Sequence, residues 1–270
     1  MSLSASHVHI KRGGQTIVRD VSLDVAPGQL LAIAGRNGSG KSTLLAGLSC
    51  ALPIASGTVK LNGLDLDEWH PAALARQRAV LAQDAELDFP FTVIDVVLMG
   101  RTAYHQGIES PTDLAIANRA LEMTGLVGFA ARKYTQLSGG ERQRVHLARV
   151  LSQIWGEQLE HTAEMPLDAT RYLMLDEPTA SQDLASQHRV LSVARAFAQR
   201  GVGVICILHD LNQVSQYADV VLLLSEGEPA AYGPPRQVLT AETLKEVYGV
   251  DIQVLHHPDC THPIIMSRPR

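Results

Sequence analysis

The sequence predicts an α/β fold built on a mainly parallel sheet. Short apolar runs with the length of buried strands alternate with helical patterns, the arrangement that crossover helices impose on parallel strands. One of those runs passes directly into a glycine-rich loop and then a helix. The chain has 270 residues, 46% hydrophobic and 19% charged, which fits one large domain or a core with a smaller lobe at roughly 100–200 residues per domain. The mean hydropathy is +0.03, yet no apolar run approaches the ~18 residues that span a bilayer.

The elements follow in order. Residues 7–11 and 15–25 alternate apolar and polar and flank the Gly13-Gly14 turn, a hairpin pattern. After the Pro27-Gly28 turn, residues 29–34 form a short apolar strand. The string GRNGSGKST then occupies 35–43, with Leu44, Leu45 and Leu48 on the helix it opens. A strand at 57–61 precedes the Asn62-Gly63 turn. From about residue 71 the texture becomes helical, with helices expected at 71–77, 92–99, 111–123 and 139–153. Residues 155–171 are polar, carry Pro166 and read as an exposed loop or insert. Beyond it the spacing predicts a strand at 172–175, a helix at 183–199, a strand at 202–208, a helix at 211–217 and a strand at 219–224. The tail offers strands at 251–255 and 263–266. Because 71–155 interrupts the alternation, the expected organisation is a core of 1–70 and 172–270 with an inserted helical lobe.

Several function classes drop out. The first residues lack a basic-then-apolar signal, which points to the cytosol. The chain has three cysteines, Cys50, Cys206 and Cys260, and they are scattered without metal-type spacing. A net charge of −5 with 4% aromatics argues against nucleic-acid binding, which wants a basic face and stacking rings. No period of 20–50 residues recurs, so repeat architectures are out. His256, His257, Cys260 and His262 crowd the tail, but neighbours on a strand face opposite sides, and an exposed terminal strand explains them better than a metal or haem site.

The chemistry begins at Gly35, which with Asn37, Gly38, Ser39, Gly40, Lys41, Ser42 and Thr43 completes G-x-x-x-x-G-K-[ST]. Glycines let successive N–H groups turn onto polyphosphate oxygens at a helix N-terminus. Lys41 supplies a cation for the outer phosphates, and the Ser42 hydroxyl can ligate Mg²⁺. A second apolar strand ends in Asp176-Glu177. There Asp176 can hold a Mg²⁺-bound water, and Glu177 can polarise an attacking water as general base. Between the two lies Leu137-Ser138-Gly139-Gly140-Glu141, where Ser138 and Glu141 form a capping box and the glycines open a second anion-binding helix start.

That last string resembles the signature of ATP-binding-cassette (ABC) ATPases, and the resemblance runs over nearly the whole chain. It implies an ABC nucleotide-binding domain with a mainly parallel core, an antiparallel β subdomain and a helical lobe. Gln83 matches the family's Q-loop glutamine, a Mg²⁺ contact together with Ser42 and Asp176. His209 matches the switch histidine at the γ-phosphate. The cofactors implied are ATP and Mg²⁺. In the family two cassettes pair head to tail, so that Ser138, Gly139, Gly140 and Glu141 of one copy close over ATP on the other. Two positions depart from the pattern. Arg12 stands where an adenine-stacking aromatic is usual, and Ala180-Ser181-Gln182-Asp183 replaces Ser-Ala-Leu-Asp, putting Gln182 at the dimer seam.

Residues 88–93, continuing to Met99-Gly100-Arg101, resemble importers of iron-siderophores, haem and vitamin B12. The 155–171 insert and residues 73–80 are most like the haem importers of that group. The resemblance implies an ATP hydrolase on the cytoplasmic face of the inner membrane. Its expected partners are a second copy of itself, a separate permease dimer and, indirectly, a periplasmic haem-binding protein. Two other classes compete. A soluble ABC clamp of DNA repair or translation would need a coiled coil or a second cassette. A small-molecule phosphotransferase would leave residues 138–140 and His209 without a task.

Overall fold

The computed structural model describes residues 1–83, 87–105, 107–156, 171–180, 182–255, 257–258 and 260–268. Most of the expected polar insert, together with Ser181 and His256, lies outside the described residues. The elements are β1 (Leu3–Arg12), β2 (Gln15–Val25), β3 (Leu30–Ala34), α1 (Lys41–Leu48), β4 (Ser56–Leu61), β5 (Leu64–Asp65), α2 (Pro71–Gln77), β6 (Arg78–Leu81), α3 (Val93–Leu98), α4 (Pro111–Met123), α5 (Gly139–Ile154) and β7 (Tyr172–Asp176). There follow α6 (Leu184–Gln199), β8 (Gly203–Ile207), α7 (Leu211–Tyr217), β9 (Val220–Ser225), β10 (Glu228–Gly233), α8 (Pro235–Val238), α9 (Ala241–Tyr248), β11 (Ile252–Leu255) and β12 (Ile264–Ser267).

These elements gather into two compact units, Met1–Glu68 with Gly203–Arg270, and Trp69–Val202. In the first, β1 pairs antiparallel with β2 and β4 in a sheet of order β2-β1-β4-β5. The β1–β2 hairpin turns at Gly13-Gly14 as expected. In the same unit β3 is flanked by β8 and β9, both parallel to it, and β10 runs antiparallel along β9. Every residue of β3 and β8 is buried, which is why these strands read as unbroken apolar runs rather than alternating ones. The tail strands β11 and β12 pair with each other as a separate hairpin.

In the second unit β6 and β7 pair in parallel, and α5 packs on α3, α4, α2 and both strands. Its inner face buries Val145, Leu147, Ala148, Val150 and Leu151, as the spacing predicts. Local capping sets the helix starts. Thr92–Asp95, Ser110–Asp113 and Ser138–Glu141 each form a reciprocal capping box, satisfying amides that the first turn leaves without partners.

Met99-Gly100-Arg101 has a structural role in this unit. A Cβ on Gly100 would collide with the Arg149 carbonyl oxygen of α5, so the segment reaches that helix only because it is glycine. Arg101 is 1% exposed and donates to Asp113 Oδ1 at 2.8 Å and to the Ser152 and Gly156 carbonyls at 2.7 Å. It also lies over the Tyr104 ring at 3.9 Å. By contrast Phe89 is 67% and Phe91 38% exposed, and the two rings touch each other in a tilted pair. Neither fills a core.

Candidate functional site

Each unit carries its own set of chemistry-bearing side chains. In the first unit the loop of residues 35–43 leaves β3 at Gly35, whose φ is 148°. A Cβ there would collide with the Leu224 carbonyl oxygen of β9 and lie 2.9 Å from Ser39 Oγ. Gly40 caps α1 with φ 96°, and a side chain on it would press to 3.2 Å from the Ile17 carbonyl of β2. The loop is therefore wound tightly between two strands, in the concave form that collects backbone amides around an anion.

Lys41 is 5% exposed, and its ammonium donates to the Gly35 and Arg36 carbonyls at 2.9 Å each. Ser39 is buried with no hydrogen-bond partner for its hydroxyl, while its carbonyl accepts from the Gly227 amide at 3.1 Å. A buried cation, an orphaned hydroxyl and a helix N-terminus in one loop fit a polyphosphate. A cavity of about 220 Å³ along Arg36, Asn37, Gly38 and Ser39 is walled by Glu226 and Glu246. Two carboxylates make that wall unsuited to phosphate.

Strand register brings His209 to the same edge. Ile33 of β3 pairs with Ile207 of β8, so Gly35 and His209 each stand two residues beyond a matched pair. His209 is exposed, and Asp210 caps the following α7 by accepting from the Asn212 amide at 2.8 Å. Arg12 is exposed at the end of β1, where it pairs with Gln15, close in sequence to the Ile17 that abuts Gly40. The last residue of α9, Tyr248, brings its ring to the start of the loop. Burial pushes its phenol up to about 12 against the opposing influence of the Gly35 backbone, and the hydroxyl completes no hydrogen bond.

The second unit repeats the register logic. Leu81 of β6 pairs with Leu175 of β7, so Gln83 and Glu177 emerge side by side, and the Gln83 amide donates to Glu177 Oε2 at 3.3 Å. Asp176, the last residue of β7, is 8% exposed. Glu177 has φ 49°, a left-handed conformation that costs a non-glycine residue about 1–3 kcal/mol and points to a functional constraint. Two glutamines hold this turn: Gln143, which sequence reasoning did not assign, and Gln182, which it placed at the dimer seam. Gln143 of α5 donates to the Glu177 carbonyl at 3.2 Å. Gln182 donates to Gln143 Oε1 at 2.7 Å and to the Pro178 carbonyl at 3.1 Å. The Gln182 departure thus has a task within its own chain, an amide link from the Glu177 turn to the signature helix that a leucine could not make. At that helix start, Ser138 and Gly139 are exposed. Hydrogen bonds from the Ser138 hydroxyl and backbone hold the Glu141 carboxyl below its ordinary range.

The ABC transporter family profile matches residues 18–154. This chain belongs to the ABC transporter family. Over 98% of its length this ABC protein is 44% identical to the hemin import ATP-binding protein HmuV of Gloeobacter violaceus, covering 93% of that protein. It is 45% identical to the HmuV of Pseudomonas fluorescens, over 98% of this chain and 100% of that one. Among solved structures, the cassette superposes on a metal-chelate type ABC transporter in an inward-facing conformation with a TM-score of 0.81 at 26% identity, over 100% of this chain and 98% of that one. A dimeric bacterial ABC transporter cassette gives 0.71 at 24% identity, over 87% of this chain and 99% of that one, a likeness of fold. As the resemblance implied, this protein is an ATP-binding ABC ATPase of mixed α/β fold. Among the described residues, no helix is long and apolar enough to cross a membrane.

Proposed function

We propose that this ABC ATPase is the energising subunit of a haem importer, working as a head-to-tail homodimer beneath a separate permease on the cytoplasmic face of the cell membrane. The reading rests on one observation, 42–45% identity over essentially the full chain to ATP-binding proteins of hemin import. A periplasmic haem-binding protein would act on the same machine indirectly.

The roles of the phosphate loop, Asp176 and Glu177 follow from their chemistry, and those of Gln83, His209, Arg12 and the Ser138 turn are the ones the ABC resemblance implies. Gly35, Asn37, Gly38, Ser39, Gly40, Lys41, Ser42 and Thr43 hold the phosphates through backbone amides, the ammonium and hydroxyls. Ser42, Gln83 and Asp176 would hold Mg²⁺, Asp176 through a bound water, and the ion would neutralise charge on the phosphates. Glu177, oriented by Gln83, takes the proton of the attacking water. His209 contacts the γ-phosphate, and Arg12 covers the base. Ser138, Gly139, Gly140 and Glu141 of a second copy supply the other wall of each ATP site. The exposed Phe89 and Phe91 are the groups offered to the permease.

The test is reconstitution with the cognate permease in proteoliposomes. ATP-dependent haem uptake that stops in a Glu177→Gln preparation is the expected result. Uptake of a ferric siderophore in place of haem would reassign the cargo, a reading favoured by the metal-chelate type of the structural neighbour. Hydrolysis with no stimulation by any permease would overturn the transport role.

A further inference from the structure

The tail hairpin β11–β12 is tied to the helix that follows His209. Asn212, in the first turn of α7, uses both ends of its side-chain amide on one tail residue. Its Nδ2 donates to the Ile265 carbonyl at 3.1 Å, and its Oδ1 accepts from the Ile265 amide at 2.8 Å. One turn on, the buried Ser215 hydroxyl donates to the Pro263 carbonyl at 2.6 Å. Ile252 and Ile265 are buried on the inner side of the hairpin, and Arg236 of α8 holds its loop through the Thr261 carbonyl at 2.7 Å.

Asn212 is also joined to the histidine turn from the other side. Its backbone amide is the one that Asp210 caps, at 2.8 Å, and Asp210 follows His209 directly. Upstream, the Leu208 amide is anchored to the Ile33 carbonyl of β3 at 3.2 Å. The backbone that presents His209 is thus pinned at Leu208 by the sheet and at Asn212 by the tail, with Asp210 capping the helix between them. An edge-on asparagine paired with a main-chain amide and carbonyl reproduces the pairing of a β ladder, which fixes position in two directions rather than one.

We propose that Asn212 is a positioning residue for ATP hydrolysis: it uses the C-terminal hairpin as a brace that sets the turn carrying His209. The inference rests on the role proposed above for His209. It assigns a function to residues 252–267, which hold neither nucleotide nor cargo in that proposal. A displaced reacting group slows chemistry steeply, about a hundredfold per ångström in unfavourable cases, while affinity for ATP resides in the phosphate loop. The brace therefore acts on turnover and not on binding.

Three full-length variants test it: Asn212→Ala, His209→Ala and the double variant, each measured for kcat, for nucleotide Kd and for melting temperature. Asn212→Ala is expected to lower kcat about tenfold with nucleotide Kd within about twofold, and to change nothing further in the His209→Ala background, the signature of two residues acting as one unit. Ser215→Ala loosens the hairpin farther from the histidine and is expected to reduce kcat less than Asn212→Ala at a similar melting temperature. Asn212→Asp keeps an acceptor for the Ile265 amide but turns a second acceptor onto the Ile265 carbonyl, and is expected to recover none of the loss. Parental kcat in Asn212→Ala would overturn the brace, as would an equal further loss in the His209→Ala background. Parental kcat in His209→Ala would overturn the histidine's role, and so separates failure of the site from failure of the brace.

Discussion

Glu177 sits where a strand ends, in a left-handed conformation, with Gln83 on its carboxylate and Gln143 on its carbonyl. This over-determination fixes where the carboxylate points before any water arrives. Glu177→Gln keeps the shape and an acceptor for Gln83 but cannot take a proton, so hydrolysis should fall about 10²–10⁴-fold. ATP should then hold two copies together, read as a shift in gel filtration with and without nucleotide. Near-normal turnover would remove Glu177 from the role of base. Arg12 is a subtler case. A guanidinium on a purine contributes about 0.5–2 kcal/mol and does not read the base edge. GTP should therefore be hydrolysed within about tenfold of ATP, a 1.4 kcal/mol difference. Arg12→Ala should weaken binding modestly and Arg12→Tyr should restore it, by nucleotide titration. The role of Glu177 was legible from the carboxylate pair that ends an apolar strand, whereas Arg12 read only as an unusual residue at a familiar place.

At the scale of elements, the segment after α3 is stapled to α4 by a buried ion pair and to α5 by a hydrogen bond to the Ser152 carbonyl. Arg101 and Asp113 are 1% and 4% exposed, and the Asp113 carboxyl stays below its ordinary range. Burial pushes it up, but the Ser110 backbone, Arg101 and the Ser110 hydroxyl outweigh that. Arg101→Ala strands Asp113 without its cation and leaves the Ser152 and Gly156 carbonyls without a donor. A loss of about 3–5 kcal/mol is expected, measured by denaturant midpoint. The α5 cap provides a pH signature. Glu141 has a lowered carboxyl in the fold, so its stabilisation is present above the unfolded-state value of about 4.3 and is lost as pH falls through the lower folded value. Ser138→Ala removes the bonds that lower it. That variant should be less stable at neutral pH, by about 1 kcal/mol, and should lose less on acidification than the parent, as acid-dependent melting would show.

At the scale of the whole molecule, the proposed dimer makes activity a matter of association. With Lys41 on one copy and Ser138 on another, specific activity should rise with protein concentration before saturating. A mixture of Lys41→Ala and Ser138→Arg variants should recover activity, since a mixed dimer retains one intact composite site. No recovery in a preparation shown to contain mixed dimers would mean that the two sites fire only together or that each is built within one chain. The acidic character of the chain, net −5, bears on solubility and not on this pairing, which depends on the exposed signature turn.

What the sequence determined by itself is local. The phosphate loop, the Ser138–Glu141 capping box and the bounds of α2, α4 and α7 were legible because a glycine, a proline or a cap acts on its own turn through backbone sterics and short-range hydrogen bonds. The strands β3, β7 and β8 were legible because burial on both faces leaves an unbroken apolar run. Where pairing with a distant partner makes the element, the pattern was silent. The strand β10 is largely exposed and carries Pro229, and only its alignment along β9 makes it a strand. The site followed the same division. A carboxylate pair at the end of an apolar strand named Glu177, and the resemblance to ABC ATPases named Gln83 and His209. The Gln83 contact to Glu177, 94 residues away, and the Asn212 contact to Ile265, 53 residues away, come from strand register and hairpin docking. These are tertiary choices, because one residue of register turns a side chain to the opposite face.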